Sequence, residues 1–249
     1  MAPDNFVVLG ASGGIGSETC RRLRSLGSNL LLLGRDQDAL QQLGDELAVP
    51  SRIVDATSLD EVTEAVLAES HNLGTVNGIV NCVGSTLLKP AHLTSTAEWH
   101  DTLTTNLTSA FNTVRVGYQV MKKSGGAIVL LSSAVAGLGL ANHEAIAAAK
   151  AGVEGLMRSA AASYARRRIR VNAVAPGLVQ TRLSAPVWSN PKQLIASQAL
   201  HAVGRIGQPQ DVASIITWLL APDNDWVTGQ VFGIDGGLST LRVPQKRVP

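Results

Sequence analysis

The sequence predicts an α/β fold in which one doubly wound parallel sheet of about seven strands is flanked on both faces by helices. Three observations predict it. Short aliphatic runs recur at 6–9, 29–33, 52–55, 78–81, 127–131, 169–174 and 230–234. Each is apolar throughout rather than alternating, as in strands buried on both faces of a parallel sheet. Amphipathic stretches near 15–26, 36–47, 58–70, 96–122, 144–167 and 209–220 separate them, and strands alternating with helices imply right-handed crossover units. A glycine cluster, Gly10 to Gly16, joins the first strand to the first helix. In such sheets ligands bind beyond the carboxyl ends of the strands.

No linker or charge block divides the 249 residues, so residues 1–249 read as one domain, with 241–249 a loosely ordered tail. Apolar residues make up 45% and charged residues 16%, which suits a large aliphatic core with oligomer contacts. The net charge is +2, and the basic run Arg166, Arg167, Arg168 and Arg170 closes a helical pattern. Cations in a last helical turn complement its dipole, so no nucleic acid partner is expected. Cys20 and Cys82 have no metal-ligand spacing between them, which excludes an evident metal site and suits a reduced, cytoplasmic chain. The N-terminus enters the first strand without a basic and apolar leader, and no signal peptide is expected. The most apolar run, 127–141, is shorter than the ~20 residues of a membrane span and is broken by Ser132, Ser133 and glycines, so no membrane partner is expected either.

The first junction reads "VVLGASGGIGSE". Glycines let the backbone turn tightly and approach a pyrophosphate, while the helix N-terminus offers N–H donors and partial positive charge. A tight strand-to-helix junction favours glycine for its own sake, but the place of this one in the first crossover unit points to a dinucleotide. After the second strand comes "LLLLGRDQ". A carboxylate at that strand end would hold a ribose 2′-hydroxyl; Gly34 and then Arg35, a planar donor fork suited to phosphate, favour NADP(H). The alternative is that Arg35 only solvates a helix start for which Asp36 is the N-cap.

With these motifs the chain resembles the short-chain dehydrogenase/reductases along nearly its full length. "GASGGIG" matches that family's glycine motif, implying cofactor contacts from Gly10, Ser12, Gly13, Gly14, Ile15 and Gly16, although Leu9 replaces the usual threonine. "VDAT" places Asp55 and Ala56 where the family contacts adenine, and "NCVG" matches the motif after the fourth strand through Asn81, Val83 and Gly84. "VAPGLVQT" matches the segment that wraps the nicotinamide and implies roles for Pro176, Gly177, Val179 and Thr181; "GRIGQPQDVA" and "VTGQVFGIDGG" match the C-terminal signatures. The resemblance implies a Rossmann-type fold and NAD(P)(H) oxidoreduction. It also implies a mobile lid at 184–202 over a small-molecule substrate, with Leu183, Pro186, Val187, Trp188 and Ile195 lining an apolar pocket or packing on the domain.

The family's catalytic set is Asn, Ser, Tyr and Lys, and Asn106, Ser133 and Lys150 stand at its spacing, Lys150 also holding the nicotinamide ribose. The tyrosine position, four residues before the lysine, is Ile146. A positioned general acid contributes roughly 10²–10⁴-fold to rate, and isoleucine supplies none of it. His143 stands seven residues before Lys150, nearly two whole helical turns, where the family's enoyl-thioester reductases carry their tyrosine. It is a candidate proton donor or else a solvated first-turn residue. Reduction of an activated double bond, whose charge collects as an enolate, depends less on a phenol than carbonyl reduction does. The expectation is an NADP(H)-dependent reductase of a small molecule; the alternative is a protein that binds NADP(H) as sensor or oligomer partner and turns nothing over. The family also dimerises through helices matching 104–122 and 144–167, the second carrying the small residues Ala151, Gly152, Gly155 and Ala160 to Ala162, so a homotetramer or homodimer is expected.

Overall fold

The computed structural model describes residues 3–242, apart from the side chains of 70–72. Strand β1 (Asn5–Leu9), helix α1 (Gly14–Ser25), β2 (Asn29–Gly34), α2 (Gln37–Leu47), β3 (Ser51–Ile53), α3 (Leu59–Leu73) and β4 (Gly78–Asn81) form the first half. The second half runs through α4 (Thr96–Leu103), α5 (Ser109–Met121), β5 (Gly126–Leu131), α6 (Glu144–Tyr164), β6 (Ile169–Pro176), two short helices α7 (Ala185–Trp188) and α8 (Pro191–Leu200), α9 (Pro209–Leu220) and β7 (Val231–Ile234). All seven strands are parallel in the order β3-β2-β1-β4-β5-β6-β7, the doubly wound sheet that the alternation predicts.

The side-chain period of two divides the core into layers. Val7 and Leu9 of β1 face a cluster with Val62 of α3, Val114 of α5 and Met157 of α6. Phe6 and Val8 face the other, with Leu23 of α1, Leu40 of α2 and Ile216 of α9. Burial on both faces holds for β1, β2, β4, β5 and nearly all of β6, and fails at the margins. Arg52 and Ile53 of β3 are exposed, and β7 alternates between exposed and half-buried, because each has a neighbour on one side only.

Two expectations need correction. The stretch 96–122 is not one α-helix: Thr104–Thr108 between α4 and α5 is a π-helical turn, the insertion that a helical period does not reveal. The arginine run does not cap α6, which ends at Tyr164; Arg166 and Arg167 lie in a 3₁₀ turn, Arg168 takes φ 58°, and Arg170 lies in β6 and donates to the Val227 and Ala221 carbonyls. Of the tail, Leu241 and Arg242 bond back to Gly237 and Leu238, and 243–249 fall outside the described residues. Among the described residues no helix is long and apolar enough to cross a membrane, and no cluster of three metal-ligating side chains occurs.

Candidate active site

A groove crosses the carboxyl ends of the strands at the point where strand order reverses, between β1 and β4. Its outer half, about 200 Å³, is lined by Gly10, Ser12, Gly13, Arg35, Asp55 and Ala56; its inner half, about 350 Å³, by Ile15, Asn106, Ser133, His143, Ile146, Lys150 and the segment after β6. Both halves share Cys82, Val83 and Gly84.

The outer half is built by backbone. Gly10 has φ +71°, and a Cβ there would stand 2.9 Å from the Cys82 carbonyl carbon and the Val83 nitrogen. At Gly16 a Cβ would meet the Gly10 carbonyl oxygen at 2.2 Å, so this glycine serves helix packing, and at Gly14 it would meet the Thr181 methyl at 2.7 Å. The N-cap of α1 is Gly13, which has no side-chain cap, and the first turn holds no acidic residue. Its N–H donors and dipole are therefore left for a ligand. Asp36 does cap α2, accepting the Ala39 N–H at 3.3 Å, and it pairs with Arg182 at 3.0 Å. The Asp55 carboxylate accepts from the Thr57 N–H and O–H, which hold it below the usual carboxylate range against the effect of burial.

In the inner half the π turn presents Asn106, which is 1% exposed. Its amide donates to the Thr102 carbonyl and to Ser85 Oγ, and its Oδ1 accepts the Ser85 N–H, tying α4 to the loop after β4. Lys150, on α6, donates from Nζ to the Leu131 carbonyl at 2.8 Å, and burial pushes its pKa down to about 8. A Cβ on Gly84 would come within 3.1 Å of Asn106 Oδ1 and 3.5 Å of Lys150 Nζ, so glycine keeps this corner open. Ser133, in extended backbone after β5, accepts the Val135 N–H at 3.4 Å, and its hydroxyl proton has no acceptor among the described residues. Asn81 does not line the groove: its Oδ1 accepts the Val83 N–H and its amide reaches Ser109 Oγ, so it braces the loop that does.

Ile146 is 5% exposed and lines the inner half together with Ser133 and Lys150. His143 is the half-buried N-cap of α6, and its Nδ1–H donates to the Ala141 carbonyl at 2.7 Å. With a proton on Nδ1, Nε2 of the neutral ring is an acceptor.

On the far wall Pro176, Gly177, Val179 and Thr181 line the cleft, and Leu183 and, from 184–202, Val187 join them. Pro186, Trp188 and Ile195 do not; Trp188 Nε1 donates to the Thr181 carbonyl and Ile195 is 66% exposed. Sequence reasoning missed His201, which no motif marks. It is 4% exposed, Nδ1 donates to the Ser197 carbonyl, and Nε2 accepts the Leu178 N–H, so it ties α8 to the Pro-Gly segment. Arg182 was missed as well, its partner lying 146 residues away in sequence.

An elongated groove with a bare helix N-terminus at its middle, cations at its outer mouth and a buried ammonium at its inner end fits a dinucleotide. A family model described as enoyl-(acyl carrier protein) reductase matches residues 10–239. The chain belongs to the short-chain dehydrogenase/reductase family. Its named relatives are dehydrogenases and reductases. It is 34% identical to galactitol 2-dehydrogenase (L-tagatose-forming) of Cereibacter sphaeroides, over 92% of each chain. It is 31% identical to the 3-oxoacyl-[acyl-carrier-protein] reductase of Vibrio cholerae, over 93% of this chain and 96% of that one. Among solved structures, a single-substitution variant of actinorhodin polyketide ketoreductase with NADPH superposes with a TM-score of 0.91 at 28% identity, covering 96% of this chain and 98% of that one.

Proposed function

We propose that this short-chain reductase uses NADP(H) to reduce a carbon–carbon double bond conjugated to a carbonyl in a small apolar molecule, in the reducing cytoplasm where Cys20 and Cys82 stay thiols. Ile146 carries the reading: it lines the same half of the groove as Ser133 and Lys150, at the position where the family's pattern has a phenol. NADP(H) is supported by Arg35 at the outer mouth, by Gly34 where a carboxylate would select NAD(H), and by the ketoreductase neighbour with NADPH. Leu88, Leu140, Leu183 and Val187 make the substrate wall apolar.

When bound, the cofactor supplies a hydride to the β-carbon. Lys150 would hold the nicotinamide ribose, and Asn106 fixes the loop after β4 through Ser85. Ser133 donates its hydroxyl to the carbonyl oxygen as enolate charge collects there; loss of one such donor costs about 10²–10³ in rate. The α-carbon then takes its proton from water or from His143. The same reading includes a homotetramer or homodimer assembled across α5 and α6.

The test follows NADPH oxidation across panels of enones and simple ketones. Enones should turn over and ketones should not, Ser133→Ala should lose about 10²–10³ in rate, and Ile146→Tyr should gain ketone reduction. His143→Ala should lower turnover, by up to about 10²-fold if the histidine is the main donor; unchanged turnover would remove the histidine and leave the rest. NADPH binding by fluorescence with no oxidation on either panel would defeat the enzyme reading.

A further inference from the structure

The outer mouth of the groove holds an ion pair that the family motifs leave unexplained. Arg182 follows Thr181 just before the lid, Asp36 caps the start of α2, and both line the outer half of the groove with Arg35 and Ser12. Asp36 is kept in place by its own helix, whose first turn it caps through the Ala39 N–H. The helix thus stations a carboxylate at the end of the groove where a cofactor 2′-phosphate would lie, and like charges there repel. Arg182 stands on that carboxylate at 3.0 Å, and its side chain is 84% exposed. Its hydrogen bond, ahead of the one from Ala39, holds the Asp36 carboxyl below its ordinary range.

We propose that Arg182 is a specificity-determining residue which, by neutralising Asp36, lets the groove accept the 2′-phosphate of NADP(H). This rests on the NADP(H) reading. Arg35 supplies attraction for the phosphate, and Arg182 removes the repulsion beside it. The segment that leads from β6 into the lid therefore contributes to cofactor choice, at the groove end remote from the substrate.

Equilibrium binding to the ligand-free protein tests this without turnover, with NADPH, NADH, adenosine 2′,5′-bisphosphate and 5′-AMP as probes. Arg182→Gln should weaken NADPH and the bisphosphate about tenfold while NADH and 5′-AMP stay within about twofold. Adding Asp36→Asn should restore the phosphate-bearing ligands, and asparagine keeps the N-cap, so α2 stays formed. Equal losses for NADPH and NADH, no loss in Arg182→Gln, or no recovery in the double variant would each overturn the proposal. The wild-type ratio of NADPH to NADH affinity reads the underlying cofactor assignment separately, and the change in that ratio on substitution reads Arg182.

Discussion

Lys150 faces two opposed demands. A ribose-holding role needs the ammonium, yet the side chain is 6% exposed and burial pushes its pKa down to about 8. The charged form donates to the Leu131 carbonyl and dominates only below that value. Affinity for NADPH should therefore fall as pH rises through about 8, and Lys150→Met should remove that limb from the binding profile. The stability of the ligand-free protein should move the other way. The folded pKa lies below the ordinary 10.5, so between pH 8 and 10.5 the unfolded chain binds more protons and stability rises with pH. The gain approaches about 3 kcal/mol, read as the difference between wild type and Lys150→Met in urea melts at pH 7.5 and 10. A binding profile flat across pH 8 would mean that Lys150 is not the group that titrates against the cofactor.

At the scale of elements, the junction from β1 to α1 was legible and the turn from α4 to α5 was not. Glycines between an apolar run and a helical pattern have few uses, and the Gly16 contact shows one of them in steric terms. Gly16→Ala puts a methyl 2.2 Å from the Gly10 carbonyl oxygen, a backbone atom that moves only with the whole turn. It should destabilise the fold by about 2–3 kcal/mol in chemical denaturation and weaken dinucleotide binding with it. The π turn at Thr104–Thr108 left no such mark, because one extra residue in a long amphipathic stretch shifts the apolar stripe without breaking it. His201 and Arg182 were illegible for another reason: each acts through a partner distant in sequence or through backbone groups, and neither leaves a spacing to read. Asn106, Ser133 and Lys150 were legible only through resemblance, since three residues on three elements show no chemistry until the sheet gathers them.

At the scale of the whole molecule, the small residues of α6 divide into two sets that the sequence could not separate. Ala160 and Ala161 are buried in the chain's own core, and a Cβ on Gly152 would strike the Leu107 side chain at 2.9 Å. Ala148, Ala151, Gly155 and Ala162 are exposed, and a Cβ on Gly155 would meet nothing within 4 Å. Small residues at this spacing form a strip on which a second helix can approach closely, and Phe111 of α5, 46% exposed beneath Arg115, is also left uncovered. If α5 and α6 carry the self-association proposed above, a bulky charge on the exposed set should break the assembly and spare the fold. Gly155→Arg should shift sedimentation from the tetramer or dimer toward the monomer at micromolar concentration. Its helical signal and melting in dilute solution should hold or improve, because arginine is the better helix former by several tenths of a kcal/mol. Gly152→Arg is the control, expected to lose stability and assembly together. A wild-type chain that sediments as a monomer, or a Gly155→Arg variant that assembles unchanged, would place the contact elsewhere or remove it.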